Sequence, residues 1–349
     1  MARSGNIFVT YSQEQALLPT KGKQIWTGLL LLFLLLLPLL IDPYWLDVSN
    51  RALLTVIGAV GLAVLTGLSG QISLAHGAFI AVGGYVSGIA ATHWDAGFIV
   101  ALVSGVLIAM TLAVITALPT LRLDRLYLAI ATMAFQFALL FAVTRFDYTG
   151  GNTGFYLAPT SVFGVELVGQ KPFYPIIAVL AVLSVLFAVN IRRGRSGRAF
   201  GAIRDRDIAA QAVGVNLVHY RLIAYAFSAA CAAVVGVISA YYQGSVSPDG
   251  FPFDLSIQYI SMIIVGGLGR ISGAVMGALL LALVPEGLRL VTSELQTVLP
   301  TLASNLLLLQ SGIYGLILVL VLLVQPEGLY GIWVRVKRWW LTYPYAYRT

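Results

Sequence analysis

Charge is scarce in this chain. Asp, Glu, Lys and Arg make up 10% of its 349 residues, while 59% are hydrophobic; soluble domains carry about 25% charge. That balance excludes a soluble globular protein and leaves a membrane protein. Cysteine occurs once, at Cys231 in an apolar run, so no disulfide can form within the chain. The three histidines, His76, His93 and His219, lack the spacing of metal ligands. There is no phosphate-binding P-loop and no glycine-rich dinucleotide fingerprint. No catalytic residue, metal or cofactor is therefore expected, and ATP, if used, is used by another subunit. All 14 Asp and Glu residues fall in loops or at the ends of apolar runs. Proton-driven carriers rely on ionisable groups at membrane depth, so that class is disfavoured. A sodium-driven carrier is disfavoured less, because backbone carbonyls at broken helices can hold its ion.

What is abundant is apolar sequence in segments long enough to span. Crossing takes roughly 20 apolar residues for about 30 Å. Ten spans are predicted, near Ile25–Ile41, Leu53–Leu68, Ile72–Ala91, Ala96–Leu118, Leu126–Val143, Phe173–Ile191, Leu222–Tyr242, Ile257–Leu268, Ile271–Leu290 and Leu302–Val324. The fold expected is an all-α polytopic membrane protein, with some helices broken or short. The first span is read as uncleaved, since DPYWLD follows it in place of a small-residue cleavage site. The 35 glycines suit helices packed closely in lipid.

Positive charge sets the topology. With the N-terminus inside and ten spans alternating, 17 Lys and Arg fall inside. They include Arg122, Arg125, Arg270 and the seven arginines from Arg192 to Arg221. Only Arg51, Arg145, Lys171 and Arg289, 4 residues, fall outside. Both termini are then cytoplasmic. The same rule makes Ile257–Leu268 and Ile271–Leu290 two segments turning at Gly266–Arg270, because a single span would move the basic tail outside. Ile257–Leu268 is too short to cross upright and reads as a half-helix enclosed by protein. The expected organisation is a cytoplasmic N-terminal segment 1–24, a membrane domain 25–325 and a basic cytoplasmic tail 326–349. The membrane domain carries a cytoplasmic loop at 192–221 and an external loop at 144–172. The latter, with RFDYTGGNTGFY, has turn composition; it and Gln243–Ser256 are either docking loops or plain connections.

Two polar stretches stand out. In Ser196–Tyr225, Asp207–Gly214 reads DIAAQAVG, a small-residue run expected to form a short helix stopped by glycine. Thr66–Gly77 reads TGLSGQISLAHG and brings Ser69, Gly70, Gln71, Ser73 and His76 to membrane depth. A broken helix there would leave backbone N–H groups able to face a carboxylate. Alternatively these side chains simply bond helix to helix. Gly267–Ser272 echoes this stretch, so Gly266, Gly267 and Gly269 join the candidate path. Thr132 and Gln136 are four apart and share a helix face that serves either a pore or packing, packing being preferred.

Three segments together resemble one family: Gly67–Tyr85, Gly197–Ala229 and Ile264–Ala278. They are similar to the branched-chain amino acid permeases of ABC importers, LivM type, with a urea-transporting branch and neutral amino acid permeases sharing the pattern. The resemblance implies a multi-pass subunit of the bacterial inner membrane that moves neutral or branched-chain amino acids. The partners it implies are a second, LivH-like permease, two ATP-binding cassette subunits and a periplasmic binding protein; no nucleic acid is expected. It places the DIAAQAVG run as the coupling helix, with Ala209, Ala210, Gln211, Ala212 and Gly214 as the contact. Arg204 and Arg206 are expected to anchor that contact through charge-assisted hydrogen bonds, or else only to set topology and meet anionic lipid. In place of the Glu heading the EAA-type motif of many such permeases, the carboxylates here are Asp205 and Asp207. A urea or amide permease and a sodium-coupled carrier are the rival readings.

Overall fold

A computed structural model describes residues 21–120, 125–162, 164–295, 312–313, 315–316, 319–320, 323 and 328–342. The predicted last span, Leu302–Val324, lies largely outside the described residues. Residues 1–20, Arg122 and residues 343–349 lie wholly outside them.

The described chain is almost entirely helical. Helix α1 runs Lys21–Leu40 and α2 Pro43–Leu62, continued by a π-helical turn Ala63–Leu68. Then come α3 (His76–His93), α4 (Phe98–Thr120) and α5 (Arg125–Arg145). After the loop 146–169, α6 spans Gln170–Arg193, followed by two short helices, α7 (Arg195–Asp205) and α8 (Asp207–Ala212). The remainder is α9 (Leu217–Gln243), α10 (Phe253–Gly266), α11 (Ile271–Leu295) and α12 (Gly328–Thr342). Four two-residue strands tie loops together. β1 (Phe155–Tyr156) pairs antiparallel with β4 (Ser245–Val246), and β2 (Ser161–Val162) with β3 (Val165–Glu166).

Six helical segments among the described residues are long and apolar enough to cross a membrane, and the apolar part of α1, Gln24–Leu40, is shorter. The difference from ten has physical causes. α10 has only 14 residues, about 21 Å at about 1.5 Å per residue. α3 starts at His76, not Ile72, and carries polar and small residues because protein encloses it on nearly every side. α2 starts ten residues earlier than Leu53. Pro43 occupies its first turn, and its polar residues are held by partners: Asp47 pairs with Arg51 at 3.0 Å and accepts from the Tyr242 hydroxyl.

α2, α3 and α9 form the core, while α4, α5, α6 and α11 are mostly exposed apolar surface. α3 and α9 meet backbone to backbone. A Cβ on Gly236 would come within 1.9 Å of the Ile80 carbonyl oxygen, and one on Gly83 within 2.3 Å of that of Ala233. Cys231 is buried where α9 faces Gly61 of α2.

The arginine-rich loop sits at one end, beside the last turn of α2, the end of α10 and the start of α11. Gly328, opening α12, abuts Gly267, and Arg270 lies over the Tyr330 ring at 5.2 Å. The tail helix therefore shares the basic end. Arg289 stacks on Tyr44 at 5.2 Å at the opposite end, where Arg51 also sits. α10 and α11 are separate helices turning at Gly267–Arg270.

Gly236→Ala is expected to lower the thermal stability of the purified protein by about 1–3 kcal/mol or more, as overpacking does. Gly201→Ala on α7, where a Cβ meets nothing within 4 Å, is expected to be neutral or stabilising by up to about 1 kcal/mol. Paired melts in detergent check both.

Candidate functional site

At the basic end, α7 turns its apolar face inward, burying Ala199, Phe200 and Ile203. α8 follows after a single extended residue, Arg206. Asp207 caps α8 from within, accepting the Ile208 N–H at 2.9 Å, and takes Arg221 Nη2 of α9 at 3.4 Å. Gly214, at φ +87°, ends the turn in a conformation that side chains rarely adopt. The exposed face of α8 holds Ala209, Gln211 and Ala212 of the predicted contact set, with Gly214 just beyond. Ala210 is buried, so its methyl group lies beneath that face. Two residues missing from the sequence reading join it: Ile208, 81% exposed, and Val213, 78% exposed. Large apolar groups standing alone in a polar loop were the available signal.

Arg204, partly exposed, reaches back to the end of the π-helical turn. Its Nη1 donates to the Gly67 carbonyl at 3.2 Å, and its Nε meets Asp205 at 3.3 Å. The same Nη1 would lie 2.9 Å from a Cβ on Gly269, and a Cβ on Gly67 would come within 3.0 Å of the Gly269 nitrogen. The two glycine-broken stretches thus touch, and Arg204 lies across their junction. Arg206 is exposed on the loop surface. Asp205 and Asp207 are both engaged within the chain.

Above the junction, the segment 69–75 has no regular structure, and several of its polar groups find partners within it or on neighbouring elements. Ser69 Oγ donates to Leu65 O at 2.6 Å, and Gln71 Nε2 donates to Ser69 Oγ at 2.9 Å. The Leu74 N–H donates to Thr132 Oγ1 of α5 at 2.9 Å. The Gly77 N–H donates to Ser256 Oγ of α10 at 2.8 Å; Ser256 in turn donates to Gln136 Oε1 at 2.7 Å, and Gln136 Nε2 to Pro252 O at 3.4 Å. Thr132 and Gln136 therefore share one packing face, and the Gly77 N–H at the head of α3 is satisfied by a side chain. Ser73 is buried and accepts the Ala75 N–H at 3.4 Å. His76 is buried against the Tyr259 ring, centroids 4.8 Å apart, and its ring bonds the Gly58 backbone. Among the described residues, three buried polar atoms here have no partner: Thr66 Oγ1, Gln71 Oε1 and His76 Nε2. Such atoms are uncommon and call for an explanation. Gly70 lies against Arg204, and Gly266 and Gly267 form the turn out of α10.

The family described as the permease component of the branched-chain amino acid transport system matches residues 44–322. The chain belongs to that family. Among similar proteins of this permease family is the high-affinity branched-chain amino acid transport system permease LivM of Escherichia coli K12. It is 29% identical over 297 residues, covering 77% of this chain and 70% of the relative. LivM of Salmonella typhimurium is 28% identical over 295 residues, 77% and 69% of the two chains. LivH of the same organism is 28% identical over 296 residues, covering 78% of this chain and 90% of the relative. No solved structure matches. The matched span takes in the α8 loop, the broken stretch and both glycine turns of this permease chain.

Ser256→Ala removes the acceptor of a buried N–H and the donor to Gln136 together. A loss of about 1–3 kcal/mol is expected, read as a lower melting temperature of the purified protein against wild type.

Proposed function

We propose that this chain is a permease subunit of an ATP-driven ABC importer that carries neutral or branched-chain amino acids across the bacterial inner membrane. The observation that carries the reading is the link from the exposed α8 face, through Arg204, to the Gly67–Gly269 junction. The link makes a mechanical chain from a docking surface to the seam between two broken helices. An ATPase seated on Ile208, Ala209, Gln211, Ala212, Val213 and Gly214 would shift α8 and draw Arg204 with it. Losing the Arg204 contact to Gly67 would free the seam. The exposed, mostly small side chains suit a close fit in a partner's cleft, with two apolar anchors at the ends. The unpartnered Thr66, Gln71 and His76 atoms lie where a moving polar solute or water would satisfy them.

In this reading the basic end faces the cytoplasm, which the 17-to-4 division of Lys and Arg supports. About ten spans cross the bilayer, both termini are inside, and the domain limits are those expected from sequence. The second permease is a LivH-like subunit, supported by relatives of both LivM and LivH kinds. Two ATP-binding cassette subunits dock below, and a periplasmic binding protein docks above on the loops at 146–169 and 244–252. This subunit carries no enzymatic step. The names of the relatives concern branched-chain amino acids, and no specific observation favours a urea permease or a sodium-coupled carrier.

Vesicles holding the complete importer, supplied with ATP and binding protein, are expected to accumulate labelled leucine. Vesicles holding this subunit alone are expected not to, and accumulation by it alone would end the reading. Ile208→Glu places a charge in the docking face. It is expected to reduce ATP-driven uptake about 10-fold or more, since each factor of ten is about 1.4 kcal/mol, while the purified subunit's melting temperature stays unchanged.

A further inference from the structure

At the end opposite the basic loop, a cavity of about 270 Å³ opens between α2, α3, α9 and the start of α10. Its rim is polar, with Arg51, Tyr242 and Gln243. Its inner wall is apolar, with Ile80, Val235 and Leu255, and Tyr259 at the far side. Tyr259 is also the ring packed on His76 and pressed against Gly58. The cavity therefore abuts the upper limit of the broken stretch.

The rim is pre-arranged. Arg51 Nε is held by Asp47 Oδ2 at 3.0 Å. The other oxygen of Asp47 accepts the Tyr242 hydroxyl. Asn50, fully buried, donates from Nδ2 to Gln170 O at 3.0 Å and to the Tyr242 oxygen at 3.4 Å. Asn50 Oδ1 is buried without a partner among the described residues. This network fixes the guanidinium by its Nε edge, and the side chain stays 68% exposed. Arg51 is one of the residues lining the cavity, and a guanidinium offers its terminal nitrogens to a carboxylate as a fork of two parallel hydrogen bonds. Asp47 balances the charge, so the rim as a whole is neutral, as suits a zwitterion and not an anion. Charge on one side and aliphatic carbon on the other is the pattern of an amphiphilic small molecule. At about 30 Å³ per water, the volume equals roughly nine waters, the scale of a small amino acid.

We infer that this cavity binds an α-amino acid with a small apolar side chain. Its carboxylate lies on Arg51, its ammonium meets the side-chain carbonyl of Gln243, and its side chain lies against Ile80, Val235, Leu255 and Tyr259. The inference rests on the amino acid importer reading and names a residue set for its substrate. Urea, lacking both carboxylate and aliphatic carbon, has no partner for either half of the site.

The test uses the assembled complex, both permeases with the ATPase subunits, in nanodiscs without binding protein. Leucine, leucinamide and urea are each titrated to tens of millimolar, and the melting temperature is read. Leucine is expected to raise it; leucinamide and urea are not. Arg51→Ala is expected to weaken the leucine response about 10-fold or more, as loss of a charge-assisted pair does. The inference is overturned if leucine gives no shift in the wild-type complex, if leucinamide matches leucine, or if Arg51→Ala responds as wild type. The leucine–leucinamide comparison needs no variant, so it decides the matter even where Arg51→Ala fails to assemble. ATP-driven leucine uptake with binding protein separates the two readings. Uptake with no binding in the cavity removes the site alone, and binding with no uptake removes the transport reading alone.

Discussion

A bilayer offers no water to a broken helix, so every exposed backbone donor must find its partner in the protein. This constraint shapes the centre of the molecule. Between α2 and α3 the chain leaves helical geometry for seven residues at 69–75, and the freed groups are taken up by Thr132, Ser256 and Ser73. Ser256 can reach Gly77 only because α10 is a half-length helix beginning beside the head of α3. Gln136 can reach Ser256 only because α5 faces both. The half-helix and the break are thus one device, each meeting hydrogen-bond needs that the other creates.

Close approach of helices follows from the same economy of polar groups. Side chains in lipid gain little by leaving one apolar medium for another, so small residues that let backbones touch hold such bundles together. Gly83 and Gly236 do this for α3 and α9. At the basic end, Gly67 and Gly269 bring the two broken stretches into contact, with the Arg204 guanidinium against both. The Arg204 contact across this seam of glycines lies one helical segment from an exposed face carrying Ile208 and Val213.

Much of this was legible beforehand. Low charge, long apolar runs and the lopsided placement of Lys and Arg led to a polytopic helical protein, and the turn at Gly266–Arg270 follows from charge counting alone. The short helix at Asp207–Ala212 and its glycine stop are local matters of small residues and backbone freedom. The sequence reading failed where polarity in the chain is compensated at a distance. The helix from Pro43 looked like loop because Asp47, Asn50 and Arg51 are polar, and the partners of Asp47 and Asn50 on Tyr242 and Gln170 lie more than a hundred residues away. Ala210 looked equivalent to its neighbours, and only the tertiary packing of α8 buries it.

Composition, charge placement and glycine punctuation therefore settled what kind of molecule this is and roughly where it turns, because each acts over a few residues or over the chain as a sum. Folding in three dimensions settled which polar groups meet. Arg204 lies over Gly67, Ser256 over Gly77, and Tyr242 beside Asp47, since these contacts depend on how distant helices cross, and no local pattern encodes a crossing.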